Sequence, residues 1–368
     1  MPAVEVALGE RSYRIEIEPG LLERAGERLA SLCRSPRVAV VAQRRVWDRW
    51  GRALETSLER AGLTHSVHLV PNGEGAKRMV WVQRLYAAFA AAGVDRQATV
   101  AAFGGGAAGD LAGFAAATWL RGVDFVQIPT TLLAQVDASV GGKVGVNLPF
   151  GKNLAGAFWQ PRSVLIDPRA LSTLPRRELL SGLAEVIKYG VILDGEFFDW
   201  VTENRSGLLS LDGGALTHAI RRSCELKAYV VQADERESGM RAILNYGHTI
   251  GHLIEREAGY SGIRHGEAVA IGMVLAARLA VRLGMLDAAA AERIRGTIGA
   301  FGLPLAVPQR LGPDRMVSGL SLDKKSRGGR ARFVLPERIG KVVVTDAVTP
   351  EMVREVIVES QREAAAGR

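Results

Sequence analysis

Thr99-Val-Ala-Ala-Phe-Gly-Gly-Gly-Ala-Ala-Gly-Asp110 decides the architecture of this chain. A short β-compatible run, 99–103, leads straight into Gly104-Gly105-Gly106-Ala107-Ala108-Gly109, and a helix-like stretch follows at 111–120. The glycines fit G-x-G-x-x-G between a strand and a helix. Such a loop lets backbone approach a pyrophosphate, while the helix start offers unpaired N–H groups and a positive dipole end. Taken alone the pattern is weak, because a tight turn packed on a sheet reads the same way. It follows several strands rather than the first, and the acidic residue about 20 positions on is Asp124, near Arg121. A dinucleotide site of unusual layout is expected.

Outward from this loop, short apolar runs alternate with helical periodicity. Residues 38–42, 66–70, 99–103, 125–128 and 163–166 read as strands, and 46–61, 79–92 and 111–120 as helices. Residues 4–8 and 13–17 alternate like a hairpin or two edge strands. This order predicts an α/β fold with an N-terminal Rossmann-like, doubly wound parallel sheet. Beyond Pro168 the pattern turns mainly helical (177–191, 214–233, 244–258, 266–283 and 288–301), with a small hairpin at 331–335 and 341–345 and a last helix at 350–363. Two closely packed domains are expected, 1–170 and 171–368, with a cleft between them.

Composition narrows the function. The 368 residues are 48% hydrophobic and 23% charged, an ordinary globular balance. The apolar stretch 268–280 is interrupted by Gly272 and Arg278, too short to span a bilayer, and the N-terminus carries Glu5, Glu10 and Arg11 where a signal peptide would be apolar. A cytoplasmic protein without membrane contact is expected, with Cys33 and Cys224 as free thiols. The net charge of +8 would suit nucleic acid or an acidic small molecule. The basic residues are dispersed and form no nucleic-acid motif, so a polyanionic small substrate is the better reading and no nucleic-acid partner is expected.

Three of the six histidines, His248, His252 and His265, lie close together. His248 and His252 are four residues apart on one helix face, and His265 opens the next helix after the turn 259–262. Convergent imidazoles point to a metal. Glu185, in the apolar stretch 181–188, is the candidate oxygen ligand, although a Glu185–Lys188 surface pair would explain the same residues. One Glu and two His around Zn²⁺ leave coordination positions for substrate oxygens.

Longer matches then make the chain resemble the 3-dehydroquinate synthase family over nearly its whole length. They are 71–74 (PNGE), 104–113, 120–122, 129–143 (PTTLLAQVDASVGGK), 151–153 (GKN), 182–189 (GLAEVIKY), 245–252 (NYGHTIGH), 265–270 (HGEAVA) and 323–325 (DKK). The resemblance implies a phosphorus–oxygen lyase of aromatic amino-acid biosynthesis that uses NAD and one divalent metal, Zn²⁺ or Co²⁺. It would convert 3-deoxy-D-arabino-heptulosonate 7-phosphate to 3-dehydroquinate by transient oxidation, phosphate elimination, re-reduction, ring opening and intramolecular aldol closure. It further implies Glu185, His248 and His265 as metal ligands. Glu74, Lys77, Gly105, Gly106, Asp110, Thr130, Thr131 and Lys152 would contact the cofactor. Asp137, Lys143, Asn153, Lys188, Lys227, Arg241, Asn245 and His252 would contact the substrate, with Asp137 and Lys143 also near the cofactor. Arg121 would reach a phosphate across a homodimer interface, and Lys324 or Lys325 would complete the site.

The lysines and Arg241 suit a substrate carrying both carboxylate and phosphate, and Lys188→Ala is expected to cut turnover while sparing NAD and metal binding. From sequence alone each lysine could equally be a solvated helix face, and Asp137 a cap or turn former. Departures from the family pattern are Gln43-Arg44-Arg45 where Asn or Asp is common, which puts one cofactor contact in question, the small residues Gly75-Ala76 before Lys77, Ala107-Ala108, and Tyr246. A related sugar-phosphate cyclase of secondary metabolism is the rival. Lys227, Arg241 and Asn245 favour the first reading.

Overall fold

The computed structural model describes residues 3–320 and 331–366. The chain divides into two compact units, Met1–Pro175 with Leu211–Arg236, and Arg176–Ser210 with Glu237–Arg368. Residues 211–236, which the sequence reading placed with the second domain, cluster with the first.

The first unit opens with β1 (Ala3–Val6) and β2 (Tyr13–Ile17), α1 (Ala25–Leu32), β3 (Arg37–Gln43), α2 (Arg44–Arg60), β4 (Thr64–Val70), α3 (Met79–Ala91), β5 (Thr99–Gly104), α4 (Gly106–Thr118) and β6 (Asp124–Pro129). It continues with β7 (Lys143–Leu148), β8 (Gly151–Phe158) and β9 (Ser163–Ile166). A seven-stranded sheet runs β1-β2-β9-β6-β5-β3-β4. It is parallel except for β1, which pairs antiparallel with β2 at the edge. Alternate residues of each central strand enter separate cores. Val38, Val40, Ala42, Ala101 and Phe103 pack on one face, and Ala39, Val41, Val100 and Ala102 on the other. A sheet covered on both faces must read as a nearly continuous apolar run, as these strands do.

The strand order reverses between β3 and β5, the crevice where open α/β sheets bind ligands at the strands' carboxyl ends. Gln43 ends β3 there and Gly104 ends β5. The antiparallel hairpin β7–β8 was not expected from sequence. Its Gly145 pairs with Gly156, and a Cβ added at Gly145 would lie 2.6 Å from the Ala155 carbonyl oxygen, so the glycines that weaken a strand signal here permit close pairing.

The second unit begins with α5 (Arg176–Leu193), α6 (Gly195–Glu203) and α7 (Arg205–Leu209). The chain then makes α8 (Gly213–Ala233), which packs on β1, β2 and the 134–138 turn of the first unit. It resumes the second unit with α9 (His248–Glu257), α10 (His265–Arg282), α11 (Ala288–Ala300), α12 (Pro313–Ser318), the hairpin β10 (Phe333–Arg338) and β11 (Lys341–Thr345), and α13 (Pro350–Ala366). A helix expected from 244 starts instead at His248, because Met240–Asn245 forms a 3₁₀ turn and Gly247 adopts φ +76°. Among the described residues no helix is long and apolar enough to cross a membrane.

Candidate active site: a dinucleotide loop and a metal centre

In the first unit the glycine loop joins β5 to α4, which starts at Gly106, five residues earlier than its periodicity suggests. Gln43 Oε1 accepts the Gly105 N–H at 3.0 Å, so the residue that departs from the family pattern props the loop itself. A Cβ on Gly105 would sit 3.0 Å from Thr131 Cγ2, and one on Gly106 would sit 3.0 Å from Ala138 Cβ. Thr130 donates its N–H to the Gly104 carbonyl at 2.9 Å, and its buried hydroxyl has no hydrogen-bond partner among the described residues. Glycine backbone with an unpaired buried hydroxyl beside it fits a pyrophosphate and its ribose neighbours.

Around the loop runs a polar network. Lys77, only 4% exposed, donates to Asp110 Oδ2 at 2.6 Å and to Asn153 Oδ1 at 2.5 Å. Burial pushes the Asp110 carboxyl up, against the pull of Lys77. Asn153, at φ +53°, donates its N–H to Asn147 Oδ1 at 2.9 Å, and Asn147 Nδ2 donates to Glu74 Oε2 at 2.8 Å. The structure thus brings Glu74, Lys77, Asp110 and Asn153 together through Asn147, which the sequence reading missed. Asn147 lies on β7 shortly before the 149–150 turn, and only its place there, bridged to Arg78 with its N–H donated to the Lys77 carbonyl at 2.8 Å, reveals it.

Asp137 lies in a π-helical turn, Ala134–Ala138, rather than capping a helix. Its carboxylate is ion-paired with Lys227, and its carbonyl accepts Lys227 Nζ at 2.6 Å. Lys227 is therefore a buried partner and no solvated face. Lys143 is exposed at the start of β7 and Lys152 half-buried on β8.

Two residues lie elsewhere. Asp124 is at the amino end of β6, paired with Arg162 at 2.8 Å and Arg34 at 3.1 Å. β5 and β6 run parallel, Thr99 opposite Asp124 and Gly104 opposite Pro129, so Asp124 and the nearby Arg121 stand roughly 16 Å from the glycine loop at ~3.3 Å per residue. Asp124 is a structural ion-pair partner, and the dinucleotide reading of that carboxylate is withdrawn.

The second unit holds the candidate metal set. Ligand atoms of Glu185, His248 and His265 all lie within 4.8 Å of one another. Glu185 Oε1 is 3.7 Å from His248 Nε2 and 3.6 Å from His265 Nε2. Three helices, α5, α9 and α10, supply the three candidate ligands, and glycine brings them close. A Cβ on Gly266 would lie 2.1 Å from the Ser181 carbonyl, and one on Gly272 1.9 Å from the Gly247 carbonyl. His248 Nδ1 donates to the Tyr246 carbonyl at 3.1 Å, which leaves Nε2 as the lone-pair nitrogen. Tyr246 is itself buried, its hydroxyl donating to the Met273 carbonyl at 2.9 Å on α10.

Glu185 and Lys188 form an ion pair at 0% and 1% side-chain exposure, so the surface-pair alternative fails. Burial and then Lys188 hold the His248 imidazole well below its ordinary range. Burial pulls His265 down as well, but Glu185 and Glu255 override it and raise it to about 10. One carboxylate and two imidazole nitrogens converging within 4.8 Å of one another match a divalent transition metal. His252 is exposed on α9 beside this set, its ring centroid 5.5 Å from that of His248. Arg241 is buried, and Asn245 donates to Glu237 at 3.0 Å. Lys324 and Lys325 lie outside the described residues.

A parallel sheet with a glycine loop at its switch point, and a Glu-His-His cluster that could hold a metal ion, fit the class of dinucleotide- and metal-dependent enzymes. Comparisons with known proteins specify it. Models of the 3-dehydroquinate synthase N-terminal and C-terminal regions match residues 67–181 and 182–326. The 3-dehydroquinate synthase of Microcystis aeruginosa is 49% identical over 356 residues, 96% of this chain and 97% of that one. That of Rhodospirillum rubrum is 52% identical, over 91% and 89%. Among solved structures, 2-epi-5-epi-valiolone synthase from Streptomyces hygroscopicus with NAD⁺ and Zn²⁺ bound superimposes with a TM-score of 0.89 at 32% identity, covering 97% and 99%. A 2-deoxy-scyllo-inosose synthase complexed with carbaglucose-6-phosphate, NAD⁺ and Co²⁺ gives 0.87 at 28%, covering 98% and 100%. This chain belongs to the 3-dehydroquinate synthase family.

Proposed function

We infer that the chain converts 3-deoxy-D-arabino-heptulosonate 7-phosphate to 3-dehydroquinate and phosphate, as an NAD- and divalent-metal-dependent lyase. The observation that carries this is 46–52% identity, over nearly the full length, to relatives named for that reaction. The valiolone and scyllo-inosose synthases are further away, at 32% and 28%. When bound, NAD accepts and returns a hydride within one turnover, and Zn²⁺ or Co²⁺ polarises substrate oxygen.

The chain's own residues take the following proposed roles. The Gly105–Gly106 backbone, held by Gln43 through the Gly105 N–H, lies against the pyrophosphate, with Thr130, Thr131 and Lys152 as further cofactor contacts. Glu74, held by Asn147, and Lys77, held by Asp110, bind the adenosine half. Glu185, His248 and His265 hold the metal. Lys143, Asn153, Lys188 and His252 are the proposed donors to the leaving phosphate. Lys227, poised on Asp137, with Arg241 and Asn245, suits the carboxylate and hydroxyls. We propose a homodimer on the strength of Arg121, which is exposed, held at φ +69° and remote from its own glycine loop. Two free thiols support a cytoplasmic setting.

The test is incubation with the heptulosonate phosphate, catalytic NAD and Zn²⁺, following phosphate release and NADH absorbance together. Phosphate should appear without NADH accumulating, and stoichiometric NADH would indicate a plain dehydrogenase. Sedimentation of the same sample tests the dimer.

A further inference from the structure

We propose that Glu255 is a positioning residue of the metal centre, its carboxylate gripping His265 so that the other ring nitrogen faces Glu185. The proposal rests on the reading of Glu185, His248 and His265 as metal ligands. Glu255 Oε2 lies 3.4 Å from His265 Nδ1, while His265 Nε2 points at Glu185 Oε1. The two contacts occupy opposite nitrogens of one ring. A carboxylate on Nδ1 keeps the proton there and leaves the Nε2 lone pair for the ion.

The need for such a grip follows from the local chain. His265 is the first residue of α10, and the turn before it has three left-handed residues, Gly259, Tyr260 and Gly262. Its ring is 29% exposed, so packing alone does not orient it. Glu255 sits near the end of α9, seven residues after His248 and so on the same helix face. It is 6% exposed, and a carboxylate so buried demands partners. The two histidine ligands are thus held differently, His248 by the neutral Tyr246 carbonyl and His265 by an anion. Charge balance agrees. Glu185, Glu255 and Lys188 sum to −1, and a divalent ion brings the cluster to +1. Without Glu255 the buried cluster would carry +2.

His252, Glu255 and His265 also place ligand atoms within 4.8 Å of one another, which would make Glu255 a ligand of a second ion. The geometry favours positioning, because Glu255 is on the nitrogen turned away from Glu185 and His252 is exposed.

The test compares Glu255→Ala, Glu255→Gln and Glu185→Gln. Zn²⁺ affinity is measured by chelator competition, metal stoichiometry by elemental analysis, ligand field by the absorption of the Co²⁺ form, and folding by apo-protein melting. Glu255→Ala should weaken Zn²⁺ binding roughly 10–100-fold and shift the Co²⁺ bands, with one ion per chain throughout. Glu255→Gln keeps an acceptor in place and should restore part of the affinity. If Glu255→Ala does not fold, the Gln variant carries the test, and its loss should still exceed about twofold. Native affinity and unchanged bands in folded variants would overturn the proposal, as would two ions in the native protein with one lost from Glu255→Ala. Native metal binding by Glu185→Gln would instead remove the ligand reading on which the proposal rests.

Discussion

The proposed dinucleotide loop and the proposed metal centre are built from different materials. In the first unit the site is loop backbone and small side chains ringed by a polar network, at the carboxyl edge of a sheet whose core is complete without any ligand. Its charged residues are already satisfied, Lys77 by Asp110 and Asn153, and Lys227 by Asp137. In the second unit the site is a cluster of ionisable side chains at three helix contacts, with Glu185 and Lys188 almost wholly removed from water. Buried charge is costly unless paired, so the second site has more to gain from its ligand. Damage to the first should show mainly as lost affinity. Damage to the second should show as lost stability too.

The largest effect should come from the metal set. Chelation, or Glu185→Gln, is expected to abolish turnover, and metal added back should rescue the chelated protein but not the variant. Elemental analysis finding no metal in an active preparation would break the comparison.

Next comes Lys188→Ala, with turnover expected to fall by ~10²–10³ through loss of a donor to the leaving phosphate. Removing the ammonium strips Glu185 of a buried counter-ion, so the metal-free variant should lose about 3–5 kcal/mol. Metal replaces the missing positive charge. Melting curves should therefore show a large deficit without metal and a much smaller one with it, while metal content stays near native.

Glycine variants set the two regions side by side. In Gly272→Ala the new Cβ meets the Gly247 carbonyl, which is backbone, and about 1–3 kcal/mol of stability should go along with metal affinity. In Gly105→Ala it meets the Thr131 methyl, which can move, so melting should change little while the Kd for NAD rises. Equal loss of stability in the two variants would erase the distinction.

Smaller again is Asn147→Ala. It cuts the links from Glu74 to Asn153, and the Kd for NAD and the KM for substrate should rise by about tenfold, what one or two hydrogen bonds of ~0.5–1.5 kcal/mol each supply. Unchanged constants would leave the network a structural ornament. Least affected should be thiol chemistry. Burial pushes the Cys224 thiol up to about 12, so it should resist alkylation at neutral pH until the protein unfolds.

Much of this was legible along the chain. Apolar runs, the glycine loop and the four-residue spacing of His248 and His252 are local features, and local sterics and periodicity determine them. The long matched motifs add the family. What the sequence by itself left open was settled by contacts between residues far apart in it. It could not say that Glu185 and Lys188 are buried together, since an apolar helix with two charges reads the same on a surface. Nor could periodicity distinguish His248, facing Glu185, from His252, exposed one turn on; only the family resemblance separated them, because the difference lies in the helix's rotation against α5 and α10. The return of α8 to the first unit, the placing of Asp124 at the wrong end of the sheet and the part played by Asn147 are likewise tertiary facts. Periodicity is a property of neighbouring residues. Burial, and the nitrogen a ring presents, depend on what the rest of the fold brings against it.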